Sequence, residues 1–240
     1  MNQEVRTLTD RRLKTPRTAA GAGILFGVLL ITANVLIRLS LPPDPVDGGI
    51  WLEEQSNTVA LALSLVPIAG IAFLWFIGVV RDRMGQLEDR FFSTVFLGSG
   101  LLYLAMTFAA AAMAGGLLTS YAFESDNLLA SGVYAYSRAV MYRITNVYAT
   151  RMAGVFMISL GTISVRTRIL HRGLAFLTYA LALFLLLSIG LSMWVSLVFP
   201  GWVLIVSIYI LVLNLRSKDA AAADEAAAAD EAGDPSTVTG

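Results

Sequence analysis

The sequence predicts an all-α polytopic membrane bundle of six transmembrane helices with both termini cytoplasmic. Three observations carry this. First, 57% of the 240 residues are hydrophobic and only 14% charged, with a mean hydropathy of +0.71, whereas soluble domains carry about a quarter charged residues. Second, charge-free runs are long enough to span a hydrocarbon core of about 30 Å, which takes roughly 20 apolar residues. Third, the basic residues alternate along the chain. Cytoplasmic loops hold the excess of lysine and arginine. With six crossings, 13 of the 17 basic residues fall on one side, and Arg38, Arg138, Arg143 and Arg151 on the other.

Residues 1–17 form a basic cytoplasmic segment with Arg6, Arg11, Arg12, Lys14 and Arg17. The transmembrane domain covers 18–216, beginning with a span at about 18–40. That run is about 20 residues long, lacks a small-residue cleavage site and precedes five more spans, so it reads as a retained helix and not a secretory signal. It contains "GILFG", Gly23 to Gly27, whose spacing lets helix backbones approach closely. Packing within the chain and homodimerisation are both open for it.

The following loop, "LPPDPVDGGIW", stops the helix with Pro42, Pro43 and Pro45. Trp51 at its end suits the interfacial belt, as Trp194 does at the start of the last span. The second span, about 57–80, contains Pro67, which removes a backbone hydrogen bond and predicts a kink. A charged cytoplasmic hairpin follows, with Arg81, Asp82, Arg83, Glu88, Asp89 and Arg90. Its mixed charges are expected to pair with each other or with Arg166 and Arg168; a site for a cytoplasmic partner is the alternative. The third span, about 91–118, contains "MTFAAAAMAGG", where Ala111–Gly115 and Ala112–Gly116 are small residues four apart.

The fourth span, about 144–165, contains Arg151. This arginine lies 15 residues before Arg166, about 22 Å at 1.5 Å per residue. In a core of about 30 Å that puts it some 8 Å below the outer boundary, nearly within reach of the headgroups for a long side chain. Arg143 falls near the surface and Arg138 beyond it. On a regular helix Arg143 and Arg151 are about 80° apart. In one reading, residues 128–143 form an interfacial arm whose tyrosines lie at headgroup level while its arginines contact anionic lipid phosphate. In the other, Arg151 faces the bundle interior with Asn146 and Tyr148 and forms the cationic end of a pocket, or pairs with Glu54 or Glu124. The ligand or lipid candidates are therefore Arg138, Arg143, Asn146, Tyr148 and Arg151.

The apolar run from Gly173 to Leu215 is 43 residues long, about 65 Å as one straight helix, so it makes two crossings at about 173–189 and 193–215. The turn falls at "SIGLS", Ser188 to Ser192, and Pro200 is expected to kink the last span. Residues 217–240 form an alanine-rich acidic tail that favours helix but offers no apolar face to bury. It is expected as a solvated helix ending in disorder beyond Gly233.

Absences narrow the chemistry. No cysteine means no disulfide, iron–sulfur cluster, thiolate metal site or thiol nucleophile within the chain. His171 is the only histidine, so paired-histidine haem ligation and HExxH zinc sites are excluded within one chain. Between their interfaces the spans hold no Asp, Glu, Lys or His, the residues of the usual proton relays and ion sites. No basic stripe tracks nucleic acid. No enzyme activity, metal or cofactor is expected.

The stretch "FLWFIGVVRDRMGQLEDRFFSTVFLGSGLLYLAMTFAAAA", Phe73 to Ala112, resembles a block shared by uncharacterised integral membrane proteins of actinobacteria and other bacteria. It covers about one-sixth of the chain. The resemblance implies a multi-pass protein of the bacterial plasma membrane and implies no catalytic activity. The expected function is a non-enzymatic binding or accessory protein contacting anionic lipid or ligand near the outer end of span four. One alternative is a small-solute transporter with Pro67 and Pro200 as hinges and Arg151 as counter-charge. The other is a structural or regulatory subunit of a membrane complex. Expected partners are the lipid bilayer, an anionic lipid, and a second copy or another membrane subunit.

Overall fold

In an apolar environment every backbone N–H and C=O must be satisfied within the protein, and a helix does this inside a single segment. The charge-free runs fold accordingly. The computed structural model describes residues 2–42, 49–84, 90–123, 125–166, 172–188 and 193–233; within these it describes the side chains of 20–42, 49, 51–81, 91–123, 127–163, 165, 173–188, 194–213, 215 and 216. Among the described residues 96% are helical and none is in a strand.

The helices are α1 (Asn2–Ser40), α2 (Ile50–Glu54), α3 (Ser56–Met84), α4 (Arg90–Phe123), α5 (Ser125–Ala130), α6 (Val133–Arg143), α7 (Thr150–Arg166), α8 (Arg172–Leu187) and α9 (Val198–Gly233). A π-helical segment, Ile144–Ala149, joins α6 to α7 without a break, and a 3-10 turn, Met193–Leu197, leads into α9. Four stretches are long and apolar enough to cross a membrane: Ala20–Ser40, Ser56–Arg81, Phe91–Phe123 and Trp194–Leu213. The apolar part of α8, Gly173–Leu187, is shorter. Their outward faces carry Leu61, Ile71, Trp75, Leu102, Phe176 and Leu183, all exposed, as a protein embedded in lipid requires.

Helix α1 packs chiefly against α3 and α9, α7 against α8 and α4, and α3 against α4. The result is a ring in the order α9, α1, α3, α4, α7, α8, whose closing seam between α8 and α9 is sparse. Across that seam the indole Nε1–H of Trp202 donates to the Thr178 hydroxyl at 2.9 Å, both groups buried. Inside the ring, Phe73 is the hub of an aromatic core. It stacks on Phe26 at 4.5 Å and meets Tyr103, Phe156 and Phe199 at 5.8, 5.4 and 5.7 Å between centroids. Five helices are thereby tied through one ring. Most in-span hydroxyls are satisfied by their own helix, as Thr107 is by the Tyr103 carbonyl and Ser159 by that of Val155.

The two small-residue motifs separate in role. A Cβ on Gly27 would sit 2.8 Å from Leu204 Cβ and 3.0 Å from the Pro200 carbonyl, and one on Gly23 would meet Ser207. The GxxxG stripe of α1 is thus where α9 comes close. In α4, Gly116 has no neighbour within 4 Å and Gly115 has only Leu63 at 4.0 Å. Pro67 is inside α3. Pro200 instead occupies the first turn of α9, directly after the 3-10 turn. The first N–H groups of a helix have no partner within it, so Pro200 sits where its missing N–H costs less than at mid-helix.

A second apolar cluster closes one end of the bundle, built from Leu41, Trp51, Leu52, Val59, Leu117, Leu128 and Tyr134. Helices α2, α5 and α6 form this cap. Trp51, expected as an interfacial anchor, is only 2% exposed. Gly49, at a φ of 73° with no room for a Cβ beside Leu129, turns the chain so that Trp51 folds beneath the cap. Its indole N–H there donates to the Tyr134 hydroxyl at 2.7 Å. Trp194, by contrast, is 51% exposed.

Candidate functional site

A partly open cavity of about 100 Å³, measured as space open to the centre of a water molecule, runs from the aromatic core to the cap. The space exists because alanines face it: Ala33 from α1, Ala110, Ala111 and Ala114 from α4, Ala149 and Ala153 from the π segment and α7. Tyr103 and Phe199, 4.5 Å apart between ring centroids, line its deep end. Toward the cap the wall becomes polar, with Asn34, Arg38, Arg138, Tyr142 and Asn146. Among its described lining residues there is no aspartate or glutamate.

Arg38 and Arg138 supply the charge by different means. Arg138 is 4% exposed. Its Nη2 donates to the Pro42 carbonyl at 2.8 Å and its guanidinium lies 5.9 Å from the centre of the Trp51 ring, a cation–π arrangement. It is held under the cap. Arg38 is half-buried, and its hydrogen bond to Asn146 Oδ1 is long, at 3.5 Å. The two guanidinium groups are within electrostatic range of each other. Asn146 is oriented by its own Nδ2, which donates to the Tyr142 carbonyl at 3.1 Å.

The π segment explains how the residues of this region divide. A π turn inserts one extra residue into a helix, shifting everything beyond it by about 100°. Arg143 and Arg151, about 80° apart on a regular helix, are brought to within roughly 20° of each other. Both end up off the cavity. Arg143 and Tyr148 are exposed, and Arg151, half-buried, donates from Nη1 to the Val147 carbonyl at 2.8 Å. The segment also leaves Thr150 bonding the Thr145 carbonyl five residues back. Of the five sequence candidates, therefore, Arg138 and Asn146 meet at the cavity, while Arg143 and Tyr148 are exposed and Arg151 half-buried, all three off the cavity. Of the arm expected over 128–143, Tyr134 and Arg138 are buried among cap residues, whereas Tyr136 and Arg143 are exposed.

Arg38 and Asn34 were not among the sequence candidates. Their signal was present: they are four residues apart, which places them on one face of α1, with Leu30 and Ile37 beside them. The charged hairpin adds little. Arg81 is exposed; the side chains of Asp82, Arg83 and Arg90, and Glu88 and Asp89 altogether, lie outside the described residues, as do His171 and the side chains of Arg166 and Arg168. No group of histidine, aspartate and glutamate that could hold a metal occurs among the described residues.

No family model matches the chain, and neither a curated protein nor a solved structure matches it. The functional reading rests on the site alone.

Proposed function

We propose that this chain is a multi-pass protein of a bacterial plasma membrane, of six spans with cytoplasmic termini, that binds an anionic ligand in its interior cavity without catalysing a reaction. Four membrane-length helices support the location, with α7 and α8 as the two further crossings. The alternation of basic residues supports the orientation.

The observation that carries the ligand assignment is Arg38. Arg38 is in the last turn of α1 and half-buried, and a charge withdrawn from water needs a partner. Among the described residues the side-chain hydrogen bond of Arg38 is the 3.5 Å one to Asn146, at the limit of what counts as a hydrogen bond, and its electrostatic neighbours are the Tyr142 phenol and the Arg138 guanidinium. An anion in the cavity would complete its coordination, with Asn146 and Arg138 at the same end. Arg143, Tyr148 and Arg151, all off the cavity, support a second contact, to lipid phosphate at the bilayer surface. In the transporter reading Arg38 replaces Arg151 as counter-charge, since Arg151 is turned to its own helix backbone.

Native mass spectrometry of the purified protein tests the assignment. An anionic species should accompany the wild type and Arg151→Ala and be lost from Arg38→Gln. Retention in Arg38→Gln, or no anionic species in the wild type, overturns it. Anion flux in proteoliposomes that disappears with Arg38→Gln would replace binding by transport.

A further inference from the structure

The shape of the cavity narrows the ligand beyond its charge, on the premise that Arg38 does mark an anion site. Along α1 the lining runs from Leu41 at the cap to Leu30 at the core, 11 residues, or about 16 Å at 1.5 Å per residue. Spread over that length, about 100 Å³ gives a cross-section near 6 Å² for the centre of a water-sized sphere. That is a mean radius of about 1.4 Å, or roughly 2.8 Å to the wall once the water radius is added. A methylene carbon has a contact radius of about 2 Å. At that mean width the cavity matches one extended alkyl chain better than a fused ring system or two chains side by side.

Polarity changes along the same axis. Arg38, Arg138 and Asn146 are at the cap end; Thr107 and Thr150 come next, their hydroxyls bonded to their own helix carbonyls. The deep end is mainly apolar, with Leu30, Val66, Leu185, Val195 and the rings of Phe199 and Tyr103, and Ser196 beside Val195. An inorganic anion would use only the first of these zones and leave the mainly apolar remainder to water.

We infer that the cavity takes a single-chain anionic amphiphile, a carboxylate or phosphate monoester with its head at Arg38 and Arg138 and its chain pointing to Phe199. From Arg38 to Leu30 is eight residues, about 12 Å; at about 1.25 Å per methylene this accommodates roughly ten carbons.

The test uses the full chain in phosphatidylcholine nanodiscs, with binding of acetate, hexanoate, decanoate, hexadecanoate, decyl phosphate and decanol measured against free aqueous ligand and empty discs. Affinity should climb about threefold per methylene to near ten carbons and then level, because a finite tube is full; simple partition into lipid would keep climbing. Decanol should bind at least tenfold more weakly than decanoate, and Arg38→Gln should lower decanoate affinity about tenfold while leaving decanol unchanged. If acetate binds as tightly as decanoate, the amphiphile is wrong and the anion site stands. If no anion binds, both are wrong. A rise that continues without a break to hexadecanoate and ignores Arg38→Gln overturns the tube.

Discussion

The hydrogen bond from Trp202 to Thr178 spans the sparsest seam of the ring, and its removal has a calculable effect. Thr178→Val keeps the shape of the side chain and deletes the acceptor for the indole N–H. Trp202 is 1% exposed and Thr178 0%, so no water replaces the lost partner. A buried donor left without an acceptor costs about 1–3 kcal/mol in a soluble protein. Within a membrane the unfolded chain also finds partners, and measured interhelical bonds average about 0.6 and reach about 1.7 kcal/mol. The lower range applies here, and about 1 kcal/mol is expected for Thr178→Val. Trp202→Phe removes the donor while retaining most of the ring contact with Phe199. In that background Thr178→Val should cost little, giving a coupling of about 0.6–1.7 kcal/mol. Reversible unfolding in mixed micelles, followed by far-UV circular dichroism, measures all four corners of the cycle. A coupling indistinguishable from zero would refute the view that this bond ties α8 to α9.

Three other substitutions probe the rest of the architecture by the same assay. Phe73→Ala should destabilise by about 3–5 kcal/mol, as expected for a fully buried phenylalanine; a loss below about 1 would mean the aromatic hub is not where the helices are joined. Gly27→Leu should cost about 1–3 kcal/mol or more through overpacking against Leu204 and Pro200, whereas Gly116→Leu, with open space around it, should be near neutral; equal effects would contradict the assignment of the two stripes. Tyr134→Phe should cost about 1–3 kcal/mol by stranding the Trp51 N–H and should shift the tryptophan emission to the red as the cap loosens, and unchanged emission would count against a closed cap.

The residue pattern made some of this legible and hid the rest for identifiable reasons. Hydropathy reports long apolar helices directly; α8 ends at Leu187 and the 3-10 turn begins at Met193, on either side of the run expected to turn the chain, of which residues 189–192 lie outside the described residues. The inward face of Gly23 and Gly27 is a matter of helix pairing, which spacing alone leaves open between neighbours in the chain and a second copy. The cap was hidden because Trp51 and Tyr134 are far apart in sequence, and an amphipathic aromatic at an interface reads the same whether it faces lipid or a folded loop. Asn146 and Arg138 were legible as polar residues in the right region; that they face the cavity while Arg143 and Arg151 do not depends on the π segment. Nothing in "ITNVYA" (Ile144–Ala149) announces an extra residue in the turn, since composition does not distinguish i+4 from i+5 bonding.

Four arginines outside the basic cluster show how one chain handles cations near lipid. Arg143 stays exposed, where its charge costs least. Arg151, deeper, bends back to the Val147 carbonyl, trading a water contact for a backbone acceptor on its own helix. Arg138 is buried, and the cap supplies the Pro42 carbonyl and the Trp51 ring to hold it. Each of these three has an arrangement that accounts for its charge. Arg38 is answered more weakly: it is half-buried and close to a second cation, and among the described residues it meets an amide oxygen at 3.5 Å and the Tyr142 phenol, with no carboxylate. A bundle in which Arg38 only braces the fold would lose stability with leucine in its place; an anion-binding bundle would lose its ligand, while leucine removes a weakly answered charge and fills part of the cavity. Arg38→Leu therefore separates the two accounts in one measurement: higher stability with loss of the bound anion favours the site, and lower stability with no bound species in either protein favours a structural arginine.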